Sequence, residues 1–203
     1  YMAAVPDKLN RIKEIVDQGD YFTINRPRQY GKTTLIFLLK QQLLELKHYL
    51  VLDLSFEGIS SRTYQDHQRF TRVFLDKVQR CLTLMKENTL ADLLEARKSS
   101  VIDFEELDSF ITDLVVKSGR KVVMIIDEVD KAGNNQLFLD YLGMLRQKYL
   151  ESKKGQDHTF HSVILAGVHD IKTLKSKIRD ENDKMLNSPW NIAVDLEVDI
   201  SLF

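Results

Sequence analysis

The sequence holds little that could staple or punctuate it. Cys81 is the only cysteine, which excludes an intramolecular disulfide framework and a cysteine-built zinc site. Three prolines and eight glycines leave few natural breaks, and no low-complexity linker or internal repeat stands out. No apolar run is long enough to span a bilayer, and the N-terminal stretch lacks a signal-peptide pattern. The net charge of -1 excludes a long-range pull toward nucleic acid or anionic membranes, although it says nothing of local patches. These absences fit a reducing, cytosolic setting with no membrane partner. With 203 residues, 43% hydrophobic and 29% charged, the chain can bury a full core as a single domain over 1–203. It begins at Tyr1 and ends soon after a strand-like stretch, which reads as a piece of a longer multidomain protein.

What is present alternates between two periods. "PDKLNRIKEIVDQGD" predicts a helix with Leu9, Ile12, Ile15 and Val16 on one face, ended by Gly19. "YFTI" predicts a short buried strand, followed by a leucine-rich helix from Thr33 to about Leu46. Tyr49–Phe56 is a second strand, and a mixed helical stretch runs from about Thr63 to Ala96. "DFEE" at Asp103–Glu106 has capping-box spacing ahead of a helix carrying Phe104, Leu107, Ile111, Leu114 and Val115. "KVVMIIDEVD" is the clearest buried strand, apolar from Val122 to Ile126. "GNN" (Gly133–Asn135) then leads into a helix with Phe138, Tyr141, Leu142, Leu145 and Tyr149 inward. Ser162–Val168 is a further strand, a short basic helix starts at Ile171, and "WNIAVDLEV" is a last strand. Strands that are apolar on both faces and alternate with helices predict an α/β fold, a mostly parallel sheet covered on each side. In such sheets ligands bind beyond the carboxyl ends of the strands.

The first motif at such an end is "FTINRPRQYGKTTL". A phosphate loop reads G-x-x-x-x-G-K-[ST], and here Arg26 stands where the leading glycine belongs, with Pro27 after it. The chemistry survives that change. A helix N-terminus offers unpaired N–H groups and partial positive charge, and the loop curls its own N–H groups into an anion nest. Gln29 to Thr33 supply those groups, and Pro27, which lacks an N–H, precedes them. Lys32 adds a full charge, and the Thr33 hydroxyl can ligate magnesium. A lone Gly-Lys-Thr also arises by accident, so a second motif has to decide.

"VVMIIDEVD" is that motif. An acid at the carboxyl end of a buried strand can reach a magnesium ion beside the phosphates, and Asp127 has that place. Glu128, next to it, can orient and deprotonate a water for in-line attack. The competing reading, a strand ending in a solvated acidic turn, loses weight once the phosphate loop stands with it.

"RPRQYGKTT", "VVMIIDEVD" and "SVILAGVHDIKTLK" together resemble the prokaryotic AAA-like P-loop ATPases, close to the signal-transducing STAND and archaeal ATPase group, over about Val5 to Val198. Members of that group often carry Arg-Pro-Arg ahead of the Gly-Lys-[ST]. The resemblance implies a three-layer α/β/α RecA/AAA-like core with strand order 5-1-4-3-2. It implies ATP and Mg2+ as ligands, with nucleotide held by Arg28, Gln29, Tyr30, Gly31, Lys32, Thr33 and Thr34. Lys32 would grip the β- and γ-phosphates, Thr33 and Asp127 would hold the metal, and Glu128 would be the catalytic base. His169 or Asp170 would sense the γ-phosphate, and Val5 or Pro6 would touch the base. Such ATPases often need a C-terminal helical lid, which is not visible after Leu196.

Other residues have weaker claims. Arg28 is a candidate for phosphate or a neighbouring subunit, and Arg26 for an acid that stiffens the turn. Arg146 is a candidate arginine finger in a self-associated form, against the blander reading of a salt-bridged helix surface. Asp130 and Lys131 can pair, and Glu57 follows the second strand. Trp190 with Pro189 reads as packing, His158 and His161 as too isolated for metal, and Lys172–Arg179 as a solvated basic face that leaves nucleic acid open. The expected function is Mg-dependent ATP hydrolysis driving a switch or motor, with downstream domains of the same chain as partners. The alternative is a nucleotide-binding regulatory or scaffold module with little hydrolysis. A small-molecule kinase is a third reading, disfavoured because Glu128 directly follows the metal acid.

Overall fold

A computed structural model describes residues 4–25, 31–129, 132 and 135–167, with side chains in the first helix from 7 onward. Six helices and four strands follow one another along these residues: α1 (Ala4–Gln18), β1 (Phe22–Asn25), α2 (Lys32–Glu45), β2 (Tyr49–Ser55), α3 (His67–Leu84), α4 (Asn88–Arg97), α5 (Phe104–Ser118), β3 (Lys121–Asp127), α6 (Gln136–Lys153) and β4 (Ser162–Gly167). A 3-10 turn, Ser61–Gln65, precedes α3.

The four strands form one sheet in the order β1-β4-β3-β2, and every pairing is parallel. β4 lies between the strands that lead to the two motifs, as the family resemblance implies. The fifth strand expected from "WNIAVDLEV" lies outside the described residues. Each strand of this parallel sheet needs a crossover connection, and helices supply them. Because strand side chains alternate in direction, each strand feeds two cores. Val123 and Ile125 join Phe22, Ile24, Val51, Ile164 and Ala166 against α1 and α2. Val122, Met124 and Ile126 join Leu50, Leu52, Leu54, Val163 and Leu165 against α3 to α6. All five apolar residues of β3 are fully buried. Burial of that kind contributes roughly 1.5–3 kcal/mol for each large side chain.

Local signals set most boundaries. Asp103 caps α5 by accepting from the N–H groups of Glu105 and Glu106. Glu106 reaches back to the Ile102 N–H at 3.0 Å, one residue earlier than the reciprocal bond of a capping box. Asn135 caps α6 by accepting from the Leu137 N–H. The mixed helical stretch expected from about Thr63 to Ala96 consists of a 3-10 turn and two helices. The break falls at Met85–Glu87, where Lys86 takes the left-handed backbone (φ 60°) that glycine usually supplies. Ile15 is only half-buried. Tyr149 is half-buried too, and its hydroxyl donates to Asp20 at 3.2 Å. Among the described residues no helix is long and apolar enough to cross a membrane.

Candidate active site

The site is built where β3 ends and α2 begins. Gly31 is the N-cap of α2 with φ 74° and ψ 14°, a left-handed turn that frees the first N–H groups of the helix. The first helical bond runs from the Leu35 N–H to the Gly31 carbonyl at 2.8 Å. Among the described residues, a Cβ placed on Gly31 would meet no atom within 4 Å. Lys32, the first residue of α2, has a side chain only 8% exposed. Thr33 and Thr34 beside it are exposed.

Asp127 shares strand parity with Val123 and Ile125, so its carboxylate faces α2. Its Oδ1 lies 2.7 Å from Lys32 Nζ, and Glu128 Oε1 lies 3.3 Å from the same nitrogen. Asp127 Oδ1 also accepts the Glu128 N–H at 2.8 Å, and the Asp127 carbonyl accepts the Phe56 N–H at 2.9 Å, extending the β2–β3 ladder past its last paired residues. Glu128 has φ 59°, a left-handed conformation uncommon for a non-glycine residue. Burial alone would lower the pKa of the Lys32 ammonium. The hydrogen bond to Asp127 and the charges of both acids outweigh it and hold the pKa above the usual lysine value. The Lys32 ammonium therefore stays charged across neutral pH.

Three residues from two motifs, Lys32 and Glu128 being 96 positions apart, thus converge on one point. A second lysine of α2 repeats the contact lower down: Lys40 Nζ lies 2.9 Å from Asp53 on β2. That bridge was missed from sequence, although an acid inside the apolar run "YLVLDLSF" was its signal. Glu57 is exposed, and its N–H donates to Ser55 Oγ. Arg146 lies half-buried on α6. Arg26, Pro27, Arg28, Gln29, Tyr30, Asp130, Lys131, His169, Asp170, Lys172–Arg179, Pro189 and Trp190 lie outside the described residues, as do the side chains of Val5 and Pro6.

The family model of the AAA-like domain matches residues 1–199. The chain belongs to the AAA-like domain family. Comparison with curated proteins returns no significant match. The parallel α/β sheet with its 1-4-3-2 order agrees with a P-loop NTPase core, the fold expected of an AAA-like domain.

The donor set of this AAA-like domain suits the ligands its family implies. Among the described residues no three His, Cys, Asp or Glu side chains gather into a metal cage. Magnesium is usually held by one or two carboxylates, water and substrate phosphates instead, and Asp127 with Thr33 offers hard oxygen donors of that kind. A helix N-terminus at Gly31 with Lys32 as its first residue suits a phosphate.

Proposed function

We propose that this AAA-like domain binds and hydrolyses ATP with magnesium, and that hydrolysis drives a switch or motor in a larger protein. The observation that supports it best is the meeting of Lys32, Asp127 and Glu128 at the carboxyl edge of the sheet. Lys32 and the N–H groups of the loop, with Arg28, Gln29, Tyr30, Gly31 and Thr34, would bind the phosphates, and His169 would read the terminal one. Thr33 and Asp127 would hold magnesium, which, when bound, neutralises charge on the phosphates and favours attack at the terminal one. Glu128 would orient water and take its proton on the carboxylate as the oxygen attacks.

Lys32 would contribute electrostatic stabilisation of charge on the transferring phosphoryl group. Glu128→Gln is expected to keep ATP binding, measured by calorimetry, and to lower turnover by about 100-fold or more, within the range of general-base contributions. Lys32→Ala is expected to weaken ATP binding, and unchanged affinity would sink the nucleotide reading. The regulatory-module alternative draws support from the Glu128–Lys32 contact, which engages the carboxylate that would otherwise serve as base. Wild-type turnover no higher than that of Glu128→Gln, even with partner domains added, would favour that alternative.

A further inference from the structure

Resting on the nucleotide reading, we propose that Lys32 is a latch. In the closed position it occupies both carboxylates, so that free divalent cations are shut out and metal enters only together with nucleotide phosphates. The geometry carries this. One ammonium sits 2.7 Å from Asp127 and 3.3 Å from Glu128, between the two oxygens that a metal and a water would need. A cation bound at Asp127 Oδ1 and an ammonium at the same oxygen would repel each other at contact distance, so the two occupants exclude one another. Asp127 Oδ1 is committed twice, because it also accepts the Glu128 N–H. Opening the latch therefore requires a replacement partner for the lysine, and the oxygens of a phosphate chain are a fitting one.

The movement is confined to the Lys32 side chain. The Lys40–Asp53 bridge and buried Leu35, Ile36, Leu39 and Leu43 fix α2 against the sheet, so the helix has no freedom to retreat. An exchange of partners by a flexible four-carbon stem is what remains.

The test uses Mn2+ alone, without nucleotide, followed by electron paramagnetic resonance. Wild type is expected to show no saturable Mn2+ site at micromolar to low millimolar metal. Lys32→Met, which removes the ammonium and keeps the stem, is expected to bind Mn2+ at least tenfold more tightly than wild type. Lys32→Met combined with Asp127→Asn is expected to lose that gain. Lys32→Gln provides the same comparison if the methionine variant fails to fold. Equal Mn2+ affinity in wild type and the Lys32 variants, or no measurable site in any of them, overturns the latch. The nucleotide reading fails on a different measurement, an unchanged ATP affinity in Lys32→Ala, so the two failures are distinguishable.

Discussion

Lys148 tests whether charge pairing, rather than apolar burial, closes the amino-end side of the sheet. It sits on α6 with its side chain 0% exposed. Its ammonium donates to Asp108 at 2.9 Å and Thr112 at 2.8 Å on α5, and to Asp157 at 2.6 Å in the segment leading to β4. Replacing it by methionine preserves stem volume and leaves two carboxylates without their cation. Removing one partner of a fully buried pair costs about 3–5 kcal/mol. Here Asp108 is 38% exposed and can recover water, whereas Asp157 at 16% recovers little, so the lower end, about 3 kcal/mol, applies. For a domain of this size each kcal/mol moves Tm by about 2–4 °C, which gives a fall of about 6–12 °C. Circular dichroism melts and urea midpoints measure it. Adding Asp157→Asn to Lys148→Met is expected to recover part of the loss, because the second change removes a stranded charge. A loss below about 1 kcal/mol for Lys148→Met, within the range of exposed pairs, would refute the reasoning.

The same cluster gives a pH dependence. Burial alone would raise the Asp157 carboxyl, but hydrogen bonds from Lys148, the His158 N–H and Thr112 outweigh it and hold its pKa below the usual value. Its contribution is therefore present above the unfolded carboxylate range and lost as pH falls through the lowered folded value. The Tm gap between wild type and Asp157→Asn should be widest near neutrality and close below about pH 4, and a gap that stays constant contradicts the assignment. At Gly31 the strain is conformational, since φ is 74° and no atom of the described residues lies within 4 Å of a new Cβ. Gly31→Ala should cost about 1–2 kcal/mol through its positive φ, and Gly31→Asn less, because asparagine tolerates left-handed backbone. Melts that rank alanine above asparagine would contradict it.

The carboxyl-edge site was legible in part because its chemistry is local in sequence. Gly31-Lys32-Thr33 follows one apolar run and Asp127-Glu128 another, and the buried period of Val122–Ile126 fixed which way the strand ends. The neighbour order, β4 between β1 and β3, is not written in any periodicity and came only with the family resemblance. The break at Met85–Glu87 contains no glycine or proline, so Lys86 hid it. Lys148 was unreadable for another reason. A lysine between Leu145 and Tyr149 on a helix reads as a solvated edge, and only the folded approach of α5 and of Asp157 turns that edge into an interior.

The backbone at Glu128 explains how two consecutive acids can serve one cation. Side chains on a strand alternate, so Asp127 faces α2 while an extended residue 128 would face the opposite layer, with Met124 and Ile126. Adjacent strand positions are thus the wrong arrangement for a shared site. The strand ends at Asp127, and φ 59° at Glu128 redirects the chain so that Oε1 reaches Lys32 on the same side. A left-handed non-glycine residue costs roughly 1–2 kcal/mol. The Lys32 contact and the bond from the Glu128 N–H to Asp127 Oδ1 offset that cost. Under the proposed latch, the strain and the contact with Lys32 act as one device. Were Lys32 to leave for phosphate as proposed, Glu128 would lose the cation that stabilises its conformation while its N–H stayed tied to Asp127. The carboxylate would then be released at the edge where the proposed hydrolysis needs a water nucleophile.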